Sequence, residues 1–324
     1  MRALICCAAL AAALCPPGAC AEQSNDASGW LKKIARATQT LGYSGTFVYQ
    51  QGERSETSRV FRQIGAGGDY EKLVSLDGTP REVVRFNDEV KCYLPESQTV
   101  KIDRRGGVRS FPGLLPAQMS SLDENYVIAK GGTARIASFE CQEIVLTPKD
   151  DMRYGYQLWA DRASGMLVKA RVFNEKGETV EQFTFTALSI GRAAGREKRR
   201  ATIEARSKDW RVEHAEVVPA DLSDAGWTIR ADIPGFHKVA EVTRTLANSH
   251  PVGQRVYSDG LAAVSVFIEP LAGRAEPLQQ GLSSIGAVNI FTREVANHAV
   301  TVVGEAPAVS VRRIAQTVEY RRPQ

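Results

Sequence analysis

The chain has 324 residues, of which 43% are hydrophobic and 24% are charged, and its formal net charge is +4. This composition excludes a disordered chain, and the length predicts two domains at roughly 150 residues per domain. The sequence contains no run of about 18 apolar residues of the kind that crosses a bilayer as a helix. The small net charge argues against a nucleic-acid partner unless the charge is concentrated.

The N-terminus is predicted to be an export signal, residues 1–21. Its apolar run is followed by Ala19-Cys20-Ala21, which supplies the small residues that a signal peptidase needs for cleavage before Glu22. Lipoprotein processing at Cys20 is the alternative, although Pro17 stands where such a site prefers Leu. The mature chain is therefore predicted to be exported, and to be periplasmic in a Gram-negative host.

Removal of the signal leaves two cysteines, Cys92 and Cys141. Both lie in strand-like segments, and an oxidising compartment favours one disulfide between them. Two buried thiols are the alternative. A metal site is not expected, because the histidines do not show metal-ligand spacing.

The distribution of charge predicts the domain boundaries. Residues 22–190 and 217–324 each carry equal numbers of basic and acidic residues, whereas residues 191–216 carry eight Lys or Arg against five Asp or Glu. The basic segment is predicted to be an exposed linker. It is either a solvated tether or a contact for acidic groups, with Arg199 and Arg200 as the candidates.

The first domain is predicted to be mainly antiparallel sheet. An amphipathic helix is expected over residues 29–41, and about ten short strands with turn signals between them follow. Because side chains alternate along a strand, each strand gathers apolar residues on one face. They either fill the core or line a hollow for acyl chains, and the pocket candidates are Phe47, Tyr49, Val84, Phe86, Tyr156, Leu158, Phe183 and Phe185.

A long irregular segment, residues 104–126, interrupts the strands. Phe111, Leu114 and Leu115 form a small apolar group between polar ends. Loops of this length often have a function. The group is expected either to cover a cavity or to pack into the core.

Residues 217–324 are predicted to form a compact α+β domain that ends in a helix after Pro307. The chain lacks the common nucleophile and phosphate-binding motifs, GxSxG, GxGxxG and GxxxxGK[ST]. Asp150 and Asp151 are adjacent carboxylates in a polar turn, where solvation is the expected role. We therefore expect neither enzyme activity nor a cofactor.

Long strings in both domains together resemble the RseB/MucB family, the periplasmic regulators of the sigma-E envelope-stress response. They are YSGTFVYQ at Tyr43, SLDGTPREVVR at Ser75, VKCYLP at Val90, FPGLLP at Phe111, CQEIVLTPKDDMRYGYQLWAD at Cys141, EQFTF at Glu181, YSDGLAAVSVFIEP at Tyr257 and VTVVGEAPAVSVRRIAQTV at Val300. The linker carries no part of this resemblance.

The resemblance implies a first domain like the lipoprotein carriers LolA and LolB, an unclosed β-barrel with helices over an apolar concavity. It implies a smaller α+β domain that helps hold the periplasmic part of a membrane-bound anti-sigma factor of the RseA/MucA type. Binding would shield that factor from the first regulatory protease, and lipid or lipopolysaccharide in the concavity would release it.

In the second domain Tyr257, Phe267 and Glu269 are the partner-interface candidates, with sheet packing as the alternative. A lipid or lipoprotein carrier of the LolA/LolB type is the competing function, although a carrier has no need of residues 217–324. Self-association of the chain is left open.

Overall fold

A computed structural model of the protein describes residues 17–104, 122–191, 203–245, 250–272 and 277–322. Residues 1–16 of the predicted signal lie outside this part of the chain. Five of the predicted site residues also lie outside it: Phe111, Leu114, Leu115, Arg199 and Arg200.

Twelve strands form one large sheet. In chain order they are β1 (Tyr43–Gln51), β2 (Arg54–Gly65), β3 (Gly68–Ser75), β4 (Glu82–Phe86), β5 (Glu89–Leu94), β6 (Thr99–Arg104), β7 (Tyr126–Ile136), β8 (Phe139–Pro148), β9 (Gly155–Asp161), β10 (Leu167–Phe173), β11 (Thr179–Ile190) and β12 (Arg211–His214). Their order in the sheet is β12-β6-β5-β4-β3-β2-β1-β11-β10-β9-β8-β7. Among the described residues β12 and β7 are therefore free edges, and the predicted α+β fold with an unclosed sheet is confirmed.

Helix α1 (Pro17–Thr40) packs on one part of this sheet, against β7, β8 and β10. Leu31 and Ile34 lie three residues apart, on the same side of the helix, and they are 2% and 0% exposed. The helix begins earlier than the predicted residues 29–41. Pro17 is compatible with a first turn, because the N–H that proline lacks has no partner there in any helix.

The second half of the predicted linker belongs to the large sheet. Helix α3 (Ile203–Arg206) leads into β12, which pairs in parallel with β6. Ile203 is 4% exposed and packs in one cluster with Val100, against which Trp210 also lies. Residues 203–214 are thus a layer of the first domain rather than a free tether. The sequence pattern did not predict this packing, because most residues of the segment are polar or charged and only a few apolar ones, such as Ile203 and Trp210, contact the sheet.

A second sheet of seven strands forms the smaller domain. Its strands are β13 (Glu216–Pro219), β15 (His237–Thr245), β16 (Val252–Ser258), β17 (Ala263–Pro270), β18 (Gly281–Ile285), β19 (Val288–Val295) and β20 (His298–Gly304), in the order β13-β15-β16-β17-β20-β19-β18. β14 (Trp227–Thr228) pairs with β21 (Glu319–Tyr320). The helix predicted after Pro307 is α4 (Ala308–Gln316), and it buries Val311, Ile314 and Ala315 in the core of this domain.

Cys92 and Cys141 are not joined by a disulfide, so this prediction is wrong for the structure. They lie on β5 and β8, which are separated in the sheet by β4, β3, β2, β1, β11, β10 and β9. The Cys141 thiol is fully buried, and burial raises its pKa to about 11. The prediction failed because the sequence places both cysteines in strands of one domain but does not show how far apart those strands lie in the sheet.

The packing of α1 gives a first prediction. Ile34→Ala is expected to lower the free energy of unfolding by about 2–5 kcal/mol, because it leaves a cavity in a fully buried position. Lys32→Ala, on the exposed side of the same helix, is the control and is expected to change it by less than about 0.5 kcal/mol. Urea unfolding measures both, and equal effects would show that α1 is not packed as described.

Candidate ligand and partner sites

The eight predicted pocket residues fall into three groups. Phe47, Leu158, Phe183 and Phe185 are at most 4% exposed and belong to the same core cluster as the buried face of α1. Phe47 and Phe185 contact edge to face, with ring centroids 5.7 Å apart. In this part of the sheet the protein's own side chains occupy the apolar face, as the core-filling alternative expects.

Val84 and Phe86 lie in the other half of the sheet. Val84 is 5% exposed and belongs to an apolar cluster with Val100 and Ile203, whereas Phe86 is 49% exposed. Val84 and Phe86 line a cavity of about 230 Å³ together with Tyr70, Glu89, Lys91 and Glu204. Since a water molecule needs about 10–15 Å³ on the same scale, this cavity has room for a short hydrocarbon segment. Tyr70, Val84 and Phe86 form its apolar part, and its charged groups are Glu89, Lys91 and Glu204. It is the candidate ligand site.

The remaining predicted pocket residues, Tyr49 and Tyr156, line a smaller cavity of about 30 Å³ between the two domains. Leu261, Ala287 and Glu305 approach it from the second domain. On the first domain the Tyr49 hydroxyl donates a hydrogen bond to the Glu181 carboxylate. Burial raises the pKa of Glu181 to about 7, the bond from Tyr49 opposes the rise and the Glu305 carboxylate adds to it.

A buried ion pair joins the two domains. Arg153, near the end of the turn before β9, donates from Nη1 to Oδ2 of Asp259 at 2.7 Å, and both side chains are 0% exposed. Arg153 also donates from Nε to Asp150 at 3.0 Å and from Nη2 to the Pro234 carbonyl at 2.5 Å. The Tyr126 hydroxyl donates to Asp259 at 3.2 Å. Each of the two charged groups therefore has several hydrogen-bond partners, which a buried ion pair needs to offset its loss of hydration.

Three further hydrogen bonds cross the same junction. The Asn289 side-chain amide donates to the Tyr154 hydroxyl at 2.9 Å, and the Ser310 hydroxyl donates to the Met152 carbonyl at 2.6 Å. Gln51, the last residue of β1 before its turn to β2, donates to the carbonyl of Ile285 at 2.9 Å. The turn before β9 and the β1–β2 turn of the large sheet thus both dock on the second domain.

The second domain touches the large sheet near both of its free edges. Tyr126 begins edge strand β7 and reaches Asp259, while Asp103 on β6, next to edge strand β12, forms an ion pair of 2.8 Å with Arg244. Gly235 (φ +77°) packs so closely on Asn125 of the short helix α2 (Leu122–Asn125) that a Cβ there would clash with the amide. The second domain therefore bridges the gap in the open sheet.

The predicted interface residues are not brought together. Tyr257 is 6% exposed and its hydroxyl donates to the Ile229 carbonyl at 2.8 Å, so it is part of the core of the second domain. Phe267 and Glu269 alternate with the buried Val266 and Ile268 and lie half-buried on the opposite face of β17. For Tyr257 the structure therefore agrees with the alternative interpretation, packing within the second domain.

Sequence reasoning missed Arg153 and Asp259 as the junction. Both lie in strings that carry the family resemblance, and that was the only signal available for them. Asp150, interpreted as a solvated carboxylate, accepts a hydrogen bond from the Arg153 guanidinium.

Within the described residues no group of three or more His, Cys, Asp or Glu side chains gathers as a metal site would. None of the described helices has the length and apolar character of a membrane-crossing helix.

The junction pair gives a second prediction. Asp259→Asn is expected to cost about 3–5 kcal/mol of unfolding free energy, because it leaves the Arg153 charge buried without its counter-ion. The control is Asp103→Asn, whose ion pair with Arg244 is about a quarter exposed, and it is expected to cost about 1 kcal/mol or less. Urea unfolding would contradict the assignment if the two variants lost equal stability.

The raised pKa of Glu181 gives a third prediction. Between about pH 4.5 and 7 the carboxyl ionises in the unfolded chain before it ionises in the folded one, so stability falls as pH rises through this range. Glu181→Gln is therefore expected to raise the midpoint of thermal unfolding at pH 8, and to leave it nearly unchanged at pH 4.5. Glu53→Gln, in the exposed β1–β2 turn, is the control and should shift neither. A shift from Glu181→Gln that is the same at both pH values would refute the assignment.

Two family models match the chain, the MucB/RseB N-terminal domain over residues 26–210 and the MucB/RseB C-terminal domain over residues 221–319. The first match extends to residue 210 and so includes α3, in agreement with its place on the large sheet. The sigma factor AlgU regulatory protein MucB of Pseudomonas aeruginosa is 31% identical over 309 residues, 92% of each chain. The sigma-E factor regulatory protein RseB of Escherichia coli K12 is 26% identical over 297 residues, 91% of each chain.

Solved structures agree with these matches. The complex of Pseudomonas aeruginosa MucA and MucB contains a chain with a TM-score of 0.69 and 29% identity, which covers 92% of this chain and 100% of that one. A crystal structure of MucB has a TM-score of 0.66 at 29% identity, with coverage of 92% and 99%. Sequence and fold therefore agree over both domains, and this chain belongs to the MucB/RseB family.

Proposed function

We propose that this chain is a periplasmic negative regulator of sigma-E-type signalling. It binds the periplasmic part of a membrane-bound anti-sigma factor, shields it from regulated proteolysis and senses lipid or lipopolysaccharide. The observation that carries the proposal is the match over 92% of the chain to a MucB that was crystallised in complex with MucA(peri). The export signal predicted at residues 1–21 supports the periplasmic location.

The cavity beside Val84 and Phe86 is the proposed lipid site. Its apolar part, formed by Tyr70, Val84 and Phe86, suits a short acyl segment, since each buried methylene is worth about 0.8 kcal/mol. Lys91 supplies a cation for an anionic head group, although Glu89 lies 3.0 Å from it and competes for that charge. The other half of the sheet, under α1, is filled by a cluster of the protein's own buried side chains.

The contacts of the second domain near the two edges of the sheet, at Asp103 and Tyr126, suggest how lipid binding changes the affinity for the partner. An open sheet widens when a ligand enters its concave face, and here widening moves Asp103 away from Tyr126. Both residues are attached to the second domain, through Arg244 and Asp259. A ligand that strains these attachments favours a different setting of the second domain, and it releases the partner only if that setting binds the partner less well.

A lipid or lipoprotein carrier of the LolA/LolB type is the alternative. The open sheet and its cavity are compatible with such a function. The second domain argues against it, because it is docked through a buried ion pair and corresponds to MucB/RseB over residues 221–319.

Calorimetric titration with the periplasmic segment of the MucA homologue from the same organism tests the regulator function. The segment is expected to bind the wild-type chain, and saturating lipopolysaccharide is expected to weaken that binding at least about tenfold, a coupling of about 1.4 kcal/mol. Val84→Phe fills the cavity and is expected to bind the segment normally while the lipopolysaccharide effect falls below about threefold. Leu76→Phe, at an exposed position outside the cavity, is the control.

Absence of binding by the wild-type chain would refute the regulator and favour the carrier. Full sensitivity of Val84→Phe to lipopolysaccharide would refute the proposed cavity alone. Circular dichroism and the unfolding midpoint show whether each variant remains folded.

A further inference from the structure

Strand β18 is an exposed edge of the seven-stranded sheet. Among the described residues it pairs only with β19, and all of its residues are exposed. Its two large apolar side chains, Leu282 and Ile285, are 41% and 50% exposed. Its outer side offers a row of backbone donors and acceptors to another strand.

The other sheet edges carry features that oppose strand addition, and β18 does not. Edge strand β7 contains an irregularity between Lys130 and Thr133, and β13 is short and ends in Pro219. β12 has only four residues. The sequence of β18, GLSSI, has no charge and no proline, and its pairing with β19 is regular. Natural proteins block edges with charge, proline or bulges when they must stay free.

The turn after β18 shows which backbone groups point outward. Gly286 has a φ of +57°, Ala287 does not have positive φ, and Ile285 pairs with Val288, so the hairpin has a two-residue loop of the II′ kind. In such a hairpin the closing pair exchanges hydrogen bonds, and successive pairs alternate. The N–H and C=O groups of Leu282 and Ser284 therefore face away from β19.

The surface beside this edge is apolar and basic. Leu282 lies opposite Phe291 on β19, and the Arg312 guanidinium of α4 stands 5.9 Å from the Phe291 ring. Val309, on the same helix, is 42% exposed. Arg312 and Arg313 are both exposed, and neither forms an ion pair within the described part of the chain. An added strand with alternating apolar and acidic side chains matches this surface in shape and charge.

From this geometry we infer that β18 is the docking edge for an extended, acidic segment of the anti-sigma factor, which joins the sheet as an additional strand. Main-chain hydrogen bonds to Leu282 and Ser284 give the affinity, and Arg312 and Arg313 select the acidic side chains. The Gln51 bond to Ile285 places the first domain against the end of the same strand. The inference rests on the proposed function, because it names where that partner binds.

A pair of substitutions at one position tests the hydrogen-bonding edge. Leu282→Pro removes the outward N–H without removing a bond to β19, and edge strands tolerate proline at such positions. Leu282→Thr keeps that N–H and removes the exposed apolar side chain. In titrations with the MucA-homologue segment, Leu282→Pro is expected to weaken binding at least about tenfold and Leu282→Thr less than about threefold. Residue-resolved amide exchange on the wild-type complex is expected to show protection of Leu282 and Ser284.

Three outcomes separate this inference from the proposed function. If the wild-type chain fails to bind the segment, the regulator function itself fails. If the wild-type chain and Leu282→Pro bind equally, or if the two amides gain no protection in the complex, the docking edge is wrong while the function stands. Because amide exchange uses the unmodified protein, it decides the matter even if Leu282→Pro does not fold.

Discussion

The contact between the two domains contains one fully buried ion pair, between Arg153 and Asp259. Neither side chain is exposed, so each charge has given up water and must be satisfied by the protein. Asp150, the Pro234 carbonyl and the Tyr126 hydroxyl supply the remaining partners. These groups come from both domains. The arrangement therefore exists only when the domains are docked, and a different setting of the domains has to break it or replace it.

In this open sheet the two edges are linked through the second domain, whereas in a closed barrel they are hydrogen-bonded to each other. The gap between the two edges of the sheet is not fixed by strand pairing, but the second domain spans it with contacts to Asp103 and Tyr126. In one half of the sheet α1 and the strands beneath it share a cluster of buried side chains, and the cavity of about 230 Å³ lies in the other half, near Val84. The half packed against α1 carries Tyr126 and the half with the cavity carries Asp103. In the mechanism that we propose, a ligand that expands the cavity moves these two attachment points of the second domain apart.

Local patterns predicted the elements well and their assembly less well. The alternation that put Phe183 and Phe185 on one face is confirmed by their burial, because period two follows from strand geometry alone. Whether such a face meets a helix or a ligand depends on where α1 docks, which no local pattern encodes. Arg153 and Asp259 are 106 residues apart, and each also fits a polar turn. Val84 and Phe183 looked alike in the sequence and are both buried, but Phe183 belongs to the cluster that α1 joins and Val84 lies beside the cavity of about 230 Å³.

We propose that lipid binding and partner binding are coupled through the Arg153–Asp259 junction. The decisive measurement is the ratio of partner affinities without and with saturating lipopolysaccharide, in the wild-type chain and in the double variant Arg153→Met/Asp259→Leu. This variant removes both buried charges together, so it avoids leaving one of them unpaired. The account predicts a ratio of about ten or more in the wild-type chain and about one to three in the double variant, with each ligand alone still bound. An unchanged ratio in the double variant would contradict it.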